Sequence, residues 1–203
     1  ADLPVFPKFV LWEDLGEWPT QSQFIHLREW LRKKGYEQIE ASHAFLGEET
    51  LLRTFNFEDS EKTVRIQVVF TPSEPGPTHA IFTLSSLTSK GLRYVTDNAF
   101  LPRAEILPTN WKLKRTPLVR SIAKLETTHR ETMKKTGEEF LAWEETPLED
   151  ANEQQRIIEK TNVAKGILFA KHLRERNGTF TSEGRYRMWL ELWWLKYFGF
   201  SKK

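Results

Sequence analysis

The stretch TVRIQVVFT, residues 63–71, sets Val64, Ile66, Val68 and Phe70 at every second position, the period of a strand with one face in a core. Four further segments read the same way: YEQIEASHAF from Tyr36, TLLRTFNF from Thr50, HAIFTLSSL from His79 and LRYVTD from Leu92. Between them, EDSEK (58–62), PSEPGP (72–77) and TSKG (88–91) supply turn chemistry. Parallel neighbours need long crossovers, so connections this short predict an antiparallel meander of about five strands.

Outward from the meander the period becomes helical. Before it, Thr20 and Gln23 have the spacing of a capping box, Phe24, Leu27 and Leu31 follow on one face, and Gly35 is placed to end the helix. After it, Thr116-Pro117 reads as a helix start, with Leu118, Ile122, Leu125, His129 and Met133 as the apolar stripe. A third helix is expected from about Glu149 to Arg176, carrying Ile157, Thr161, Ala164, Leu168 and His172 and stopped by Asn177-Gly178. A fourth begins near Thr181. The fold class is α+β: an N-terminal helix, an antiparallel sheet, and a helical C-terminal half. The expected division is an aromatic and proline-rich arm over 1–19, a helix plus sheet over 20–115, and a helical region packing on the sheet over 116–203.

Composition bounds the chemistry. The chain has 203 residues, 39% of them hydrophobic, enough to bury a sizeable core. It has no cysteine, which excludes disulfides, thiolate nucleophiles and Cys-ligated metal sites. No apolar run approaches the roughly 18–20 residues that span a bilayer. The net charge of +2 conceals alternation along the chain: residues 1–60 carry 6 basic against 11 acidic side chains, 88–135 carry 11 against 4, 136–155 hold seven acids and no base, and 156–203 return to 11 against 4. Such blocks read first as solvated faces or as intramolecular complements.

The densest aromatic stretch is RYRMWLELWWLKYFGF, residues 185–200, with seven aromatic residues and four charges. A helix here is apolar over most of its circumference and lacks the broad charged face of an interfacial helix. Core packing is therefore expected for most of it, with Trp189 and Trp193 covering the sheet. Trp194, Tyr197, Phe198 and Phe200 are left to meet a partner or lipid headgroups, and Lys202 and Lys203 suit an anionic surface.

Three segments resemble a group of bacterial proteins of unassigned activity that are often membrane-anchored: FIHLREWLRKKGYEQI (24–39), KGLRYVTDN (90–98) leading to LETTHRE (125–131), and GTFTSEGRYRMWLELW (178–193). The resemblance implies membrane association and brings no catalytic residue. The chain opens on Ala1 rather than methionine, and the attachment is expected through a segment upstream of it, a signal peptide or an anchor.

Each candidate chemistry has a plainer reading. Glu126 and His129 have the Glu-x-x-His spacing of bundle metal sites, but no second copy exists and His172 is the only obvious complement. Both histidines lie on apolar stripes, which favours hydrogen-bonded core positions, so no metal and no cofactor are expected. Ser85, Ser86, Asp97 and the histidines supply the residue types of a hydrolase, but no serine sits in a Gly-x-Ser-x-Gly elbow. Asp97-Asn98 ends a strand and reads as turn chemistry. GTFTSEGRYRMWLEL is similar to the end of a winged helix, with Lys165, Lys171, Arg174 and Arg176 near it, whereas TPLEDANEQ sets acids where such a fold would meet phosphates. The expectation is a non-catalytic, membrane-associated interaction or scaffold subunit with a protein or membrane-surface partner. Nucleic-acid binding comes second and a metal-dependent or hydrolytic enzyme third.

Overall fold

The protein is described by a computed structural model covering residues 7–13, 17–46, 50–73 and 76–198. The chain runs β1 (Val10–Leu11), α1 (Ser22–Lys33), β2 (Glu37–Leu46), β3 (Thr50–Glu58), β4 (Arg65–Ser73), β5 (Gly76–Thr88), β6 (Arg93–Asp97), β7 (Trp111–Arg115), α2 (Ile122–Thr136), β8 (Phe140–Leu141), α3 (Pro147–Ala164), a 3-10 turn (Lys171–Leu173), α4 (Arg174–Asn177) and α5 (Ser182–Phe198). The class is α+β around one mainly antiparallel sheet in the order β1-β2-β3-β4-β5-β6-β7, with β8 on β5. The five expected strands form its centre, β2 to β6. The count of about five is corrected to eight among the described residues: β1 and β8 are two residues long and show no period, while β7, WKLKR, alternates Trp111 and Leu113 with Lys112 and Lys114 and adds to the five. β7 lies parallel to β6, which requires a crossover; residues 98–110, with Pro102 and Pro108, provide it.

The alternation along residues 63–71 separates two buried faces. On the first, Phe55, Phe57, Val64, Ile66, Val68, Phe70, Phe82 and Leu84 form the core with Phe24, Leu27 and Leu31 of α1 and Ile122 and Leu125 of α2. Trp18 sits edge-on to Phe55, Phe57 and Phe70. On the second face the intervening residues are polar except Val69, and α3 with the 98–110 crossover covers Arg65 and Gln67.

The helices depart from expectation at their ends. Gln21 caps α1 without a side-chain bond, so the Thr20/Gln23 capping box is not formed, while Gly35 takes positive φ of 80° at the helix end. α2 starts five residues after Pro117, capped by Ser121; Thr116 is instead held at the end of the sheet, its hydroxyl donating to Asp97 O at 3.1 Å, and Leu118 is 71% exposed. α3 begins at Pro147 because Thr146 and Glu149 form a capping box. It stops at Ala164 rather than Arg176, where Gly166 takes φ of 68°. From residue 116 on, the described residues form α2, α3, α4, α5 and a 3-10 turn, interrupted by the two-residue β8 and by irregular segments.

Candidate functional site

Cross-strand register builds a continuous polar row on the second sheet face: Glu40, Asn56, Gln67, Thr83, Asp97 and Arg115 are successive partners across β2 to β7. One step along the strands lie Glu58, Arg65 and Ser85. A sheet face this polar is ordinarily left to solvent. Here α3 brings Asp150 down onto it. Arg93 donates from Nη1 to Asp150 Oδ2 at 2.9 Å, Arg65 donates from Nε to Glu58 at 2.9 Å, and Arg65 Nη1 lies 3.8 Å from Asp150. Both guanidinium groups lie over the Trp143 ring, 4.3 and 4.9 Å from its centroid. At the other end Arg115 donates to Asp97 at 3.3 Å, to Glu191 of α5 at 3.1 Å, and to the carbonyls of Ala99 and Leu101.

These groups wall a cavity of about 420 Å³ between the sheet, the crossover and α3. Its floor is Asn56, Arg65, Gln67, Thr83 and Ser85; Trp111, Leu101, Leu107 and Ile158 give it an apolar side. Burial pushes the Asp97 carboxyl above the ordinary aspartate range despite Arg115 and Arg103 beside it. Burial likewise raises Glu40, which accepts a bond from Asn56 Nδ2 at 3.3 Å. Two buried polar atoms at this cavity have no hydrogen-bond partner, Asn56 Oδ1 and Arg65 Nη1. Asp97 also accepts from the Ala99 amide two residues on, as turn chemistry would have it, whereas Asn98 accepts from the Phe82 amide of β5 instead.

The other feature is α5. Thr181 caps it, accepting from the Gly184 amide at 3.2 Å. Among its residues only Gly184, Glu191 and Leu195 are fully buried. The expectation that Trp189 and Trp193 cover the sheet is overturned: they are 58% and 40% exposed. The reason lies in what does face inward. A Cβ on Gly184 would sit 2.3 Å from Ile167 O, so that position must approach the backbone; Glu191 pairs with Arg115, and Arg187 donates to Ala104 O at 3.1 Å. Together these fix the rotation of the helix and turn Tyr186, Trp189, Leu192, Trp193, Tyr197 and Phe198 outward. Trp194 is half-buried and packs on Phe198, with ring centroids 4.7 Å apart. Phe200, Lys202 and Lys203 lie outside the described residues.

The remaining candidates are dispersed. Glu126 accepts from Tyr36 and from Arg130, while His129 is buried with Nε2 3.0 Å from Ser86 Oγ and Nδ1 3.0 Å from Thr96 Oγ1. His172 is exposed in the 3-10 turn, not on α3. Thus Glu126, His129 and His172 are not brought together, and no group of three metal-ligating side chains occurs among the described residues. Ser86 and His129 touch as in a hydrolase, but Ser86 is fully buried on the apolar face and Ser85 points to the opposite one. Of the basic residues near α4, Arg174 is bonded to Glu159 at 2.8 Å and Lys171 lies 3.8 Å from the same carboxylate. No helix of the described residues is long and apolar enough to cross a membrane. No known protein family, curated protein or solved structure matches the chain.

Proposed function

We propose that the protein is a non-catalytic interaction subunit that docks a partner protein through the outer face of α5. The observation that carries this reading is the exposed stripe Tyr186, Trp189, Trp193 and Tyr197, at spacings of 3, 4 and 4, flanked by Leu192 and Phe198. Large apolar side chains in one exposed patch mark an interaction surface, and Trp and Tyr are the side chains enriched where binding energy concentrates. Anchors at these spacings suit a helix laid into an apolar groove. A lipid surface is the less favoured occupant: a helix lying in the headgroup region carries a strongly basic polar face, whereas the exposed cations of α5 are Arg185 and Lys196.

The test replaces the stripe without touching the inner face. A Trp189→Ser/Trp193→Ser/Tyr197→Ser variant should keep the parent's thermal stability, since surface substitutions usually stay within about 0.5 kcal/mol each. It should also lose a stoichiometric complex that the parent chain forms and that sedimentation velocity resolves. Two controls run beside it, the parent alone and the parent with phosphatidylcholine/phosphatidylglycerol vesicles. Vesicle binding that the variant loses would replace the protein-partner reading with membrane attachment. A large drop in stability would mean that the stripe belongs to the core.

A further inference from the structure

We propose that the cavity between the polar sheet face, the 98–110 crossover and α3 is a binding site for a neutral, hydroxyl-rich small molecule of mono- or disaccharide size. This goes beyond the docking role of α5 and does not depend on it.

The size is right. About 420 Å³ falls within the roughly 300–1,000 Å³ of small-molecule sites. The lining is costly to maintain for folding alone. Asn56 is 2% exposed and Arg65 is 4% exposed, yet Asn56 Oδ1 accepts nothing and Arg65 Nη1 donates to nothing. A buried polar atom without a hydrogen bond costs about 1–3 kcal/mol, and both side chains are kept there by the rest of their groups, Asn56 Nδ2 donating to Glu40 and Arg65 pairing with Glu58. One atom is an acceptor and the other a donor, both covered in the unliganded chain, and a hydroxyl that reaches them as the floor side chains shift meets either demand because it donates once and accepts twice. Half-buried Gln67 beside them on β4 and Thr83 and Ser85 on the neighbouring β5 continue the same floor, adding further donors and acceptors.

Charge decides the class. Four guanidinium groups are in the ion pairs around the cavity, Arg65, Arg93, Arg103 and Arg115, against four carboxylates, Glu58, Asp97, Asp150 and Glu191. Glu105 also lines the wall, so the cavity offers no surplus of positive charge to a phosphate or carboxylate. Planar side chains held rigid by their ion pairs suit adjacent hydroxyls. Trp111, whose Nε1 donates to Gln154 at 3.3 Å, gives the C–H face of a sugar ring an aromatic wall.

The experiment is isothermal calorimetry and thermal shift on the full chain. The probes are glucose, galactose, mannose, N-acetylglucosamine, ribose, maltose and lactose, with inorganic phosphate as the charged comparison. At least one sugar should bind and raise the melting temperature. Its affinity should fall about tenfold or more in Gln67→Leu and in Thr83→Val, the loss expected for one hydrogen bond of about 1.4 kcal/mol. Neither substitution removes an ion pair, so unliganded stability should hold, and circular dichroism checks that the fold is kept. No heat from any sugar, binding of phosphate alone, or sugar binding unchanged in both variants would each overturn the assignment. The α5 surface variants leave the cavity intact, so the two readings fail separately.

Discussion

His129 shows how much chemistry a single residue can carry without being a site. Its ring is almost wholly buried and both nitrogens are engaged, by Ser86 and by Thr96, which leaves no lone pair for a metal. Burial holds its pKa down to about 4, against 6.5 for the free side chain. Between those values the unfolded chain binds a proton that the native state refuses, so stability is full above the unfolded pKa and falls as pH drops through the window. The loss should reach about 3 kcal/mol by the lower end, at roughly 1.4 kcal/mol per pH unit. The raised Asp97 carboxyl acts in the opposite sense, favouring the native state as the pH falls. Urea unfolding near pH 7 and near pH 5 should give the lower stability at the acid end, and His129→Gln should remove most of that difference. An unchanged pH slope in the variant would assign it to other groups. The Glu126-x-x-His129 spacing was legible in the sequence. What it could not show is that Tyr36 and Arg130 hold one end and β5 and β6 the other.

At the scale of the element, α5 marks where helical wheeling stops working. A helix apolar over most of its circumference has no preferred inner face by hydrophobicity alone, so the outcome rests on two residues that a wheel underweights, a glycine and a buried glutamate. Gly184→Ala tests this directly. In a helix interior alanine is favoured by about 1 kcal/mol, but a methyl group 2.3 Å from Ile167 O must push the start of α5 away, and overpacking costs about 1–3 kcal/mol. The variant should therefore melt lower than the parent; a higher melting temperature would show that the approach to Ile167 does not set the helix. By the same logic Leu195→Ala, at a fully buried position, should cost about 2–5 kcal/mol, whereas Trp193→Ala should stay close to the parent. Other elements were readable where a local signal dominates. The five central strands follow their alternation, and Gly35 ends α1 as its position suggests. The Thr146-Glu149 capping box lies in the sequence as well, and it starts α3 at Pro147, four residues after the buried Trp143 and two before the expected Glu149.

For the whole molecule, the sequence disclosed one buried sheet face and concealed the other. Val64, Ile66, Val68 and Phe70 announce the apolar side, but Arg65 and Gln67 between them look like solvent-facing residues until α3 is known to cover them. That cover depends on pairings such as Arg93 with Asp150, 57 residues apart, which no local period encodes. Arg115 is the junction of this second layer, joining Asp97 of β6, the Ala99 and Leu101 carbonyls of the crossover, and Glu191 of α5. Arg115→Met keeps much of the side chain's bulk but leaves Asp97 and Glu191 as buried carboxylates without that cation, a loss worth about 3–5 kcal/mol. The damage should be regional. The apolar layer of Phe55, Ile66 and Phe82 with α1 and α2 packs on the opposite face of the sheet, so β3, β4 and β5 should keep their amide protection. In hydrogen exchange, protection should fall in residues 98–110 and in α5, since these are the segments Arg115 ties down and local opening follows the loss of such ties. A uniform fall across the sheet would mean that the two layers unfold as one unit; an unchanged α5 would mean that Gly184 and Leu195 hold that helix without the ion pair.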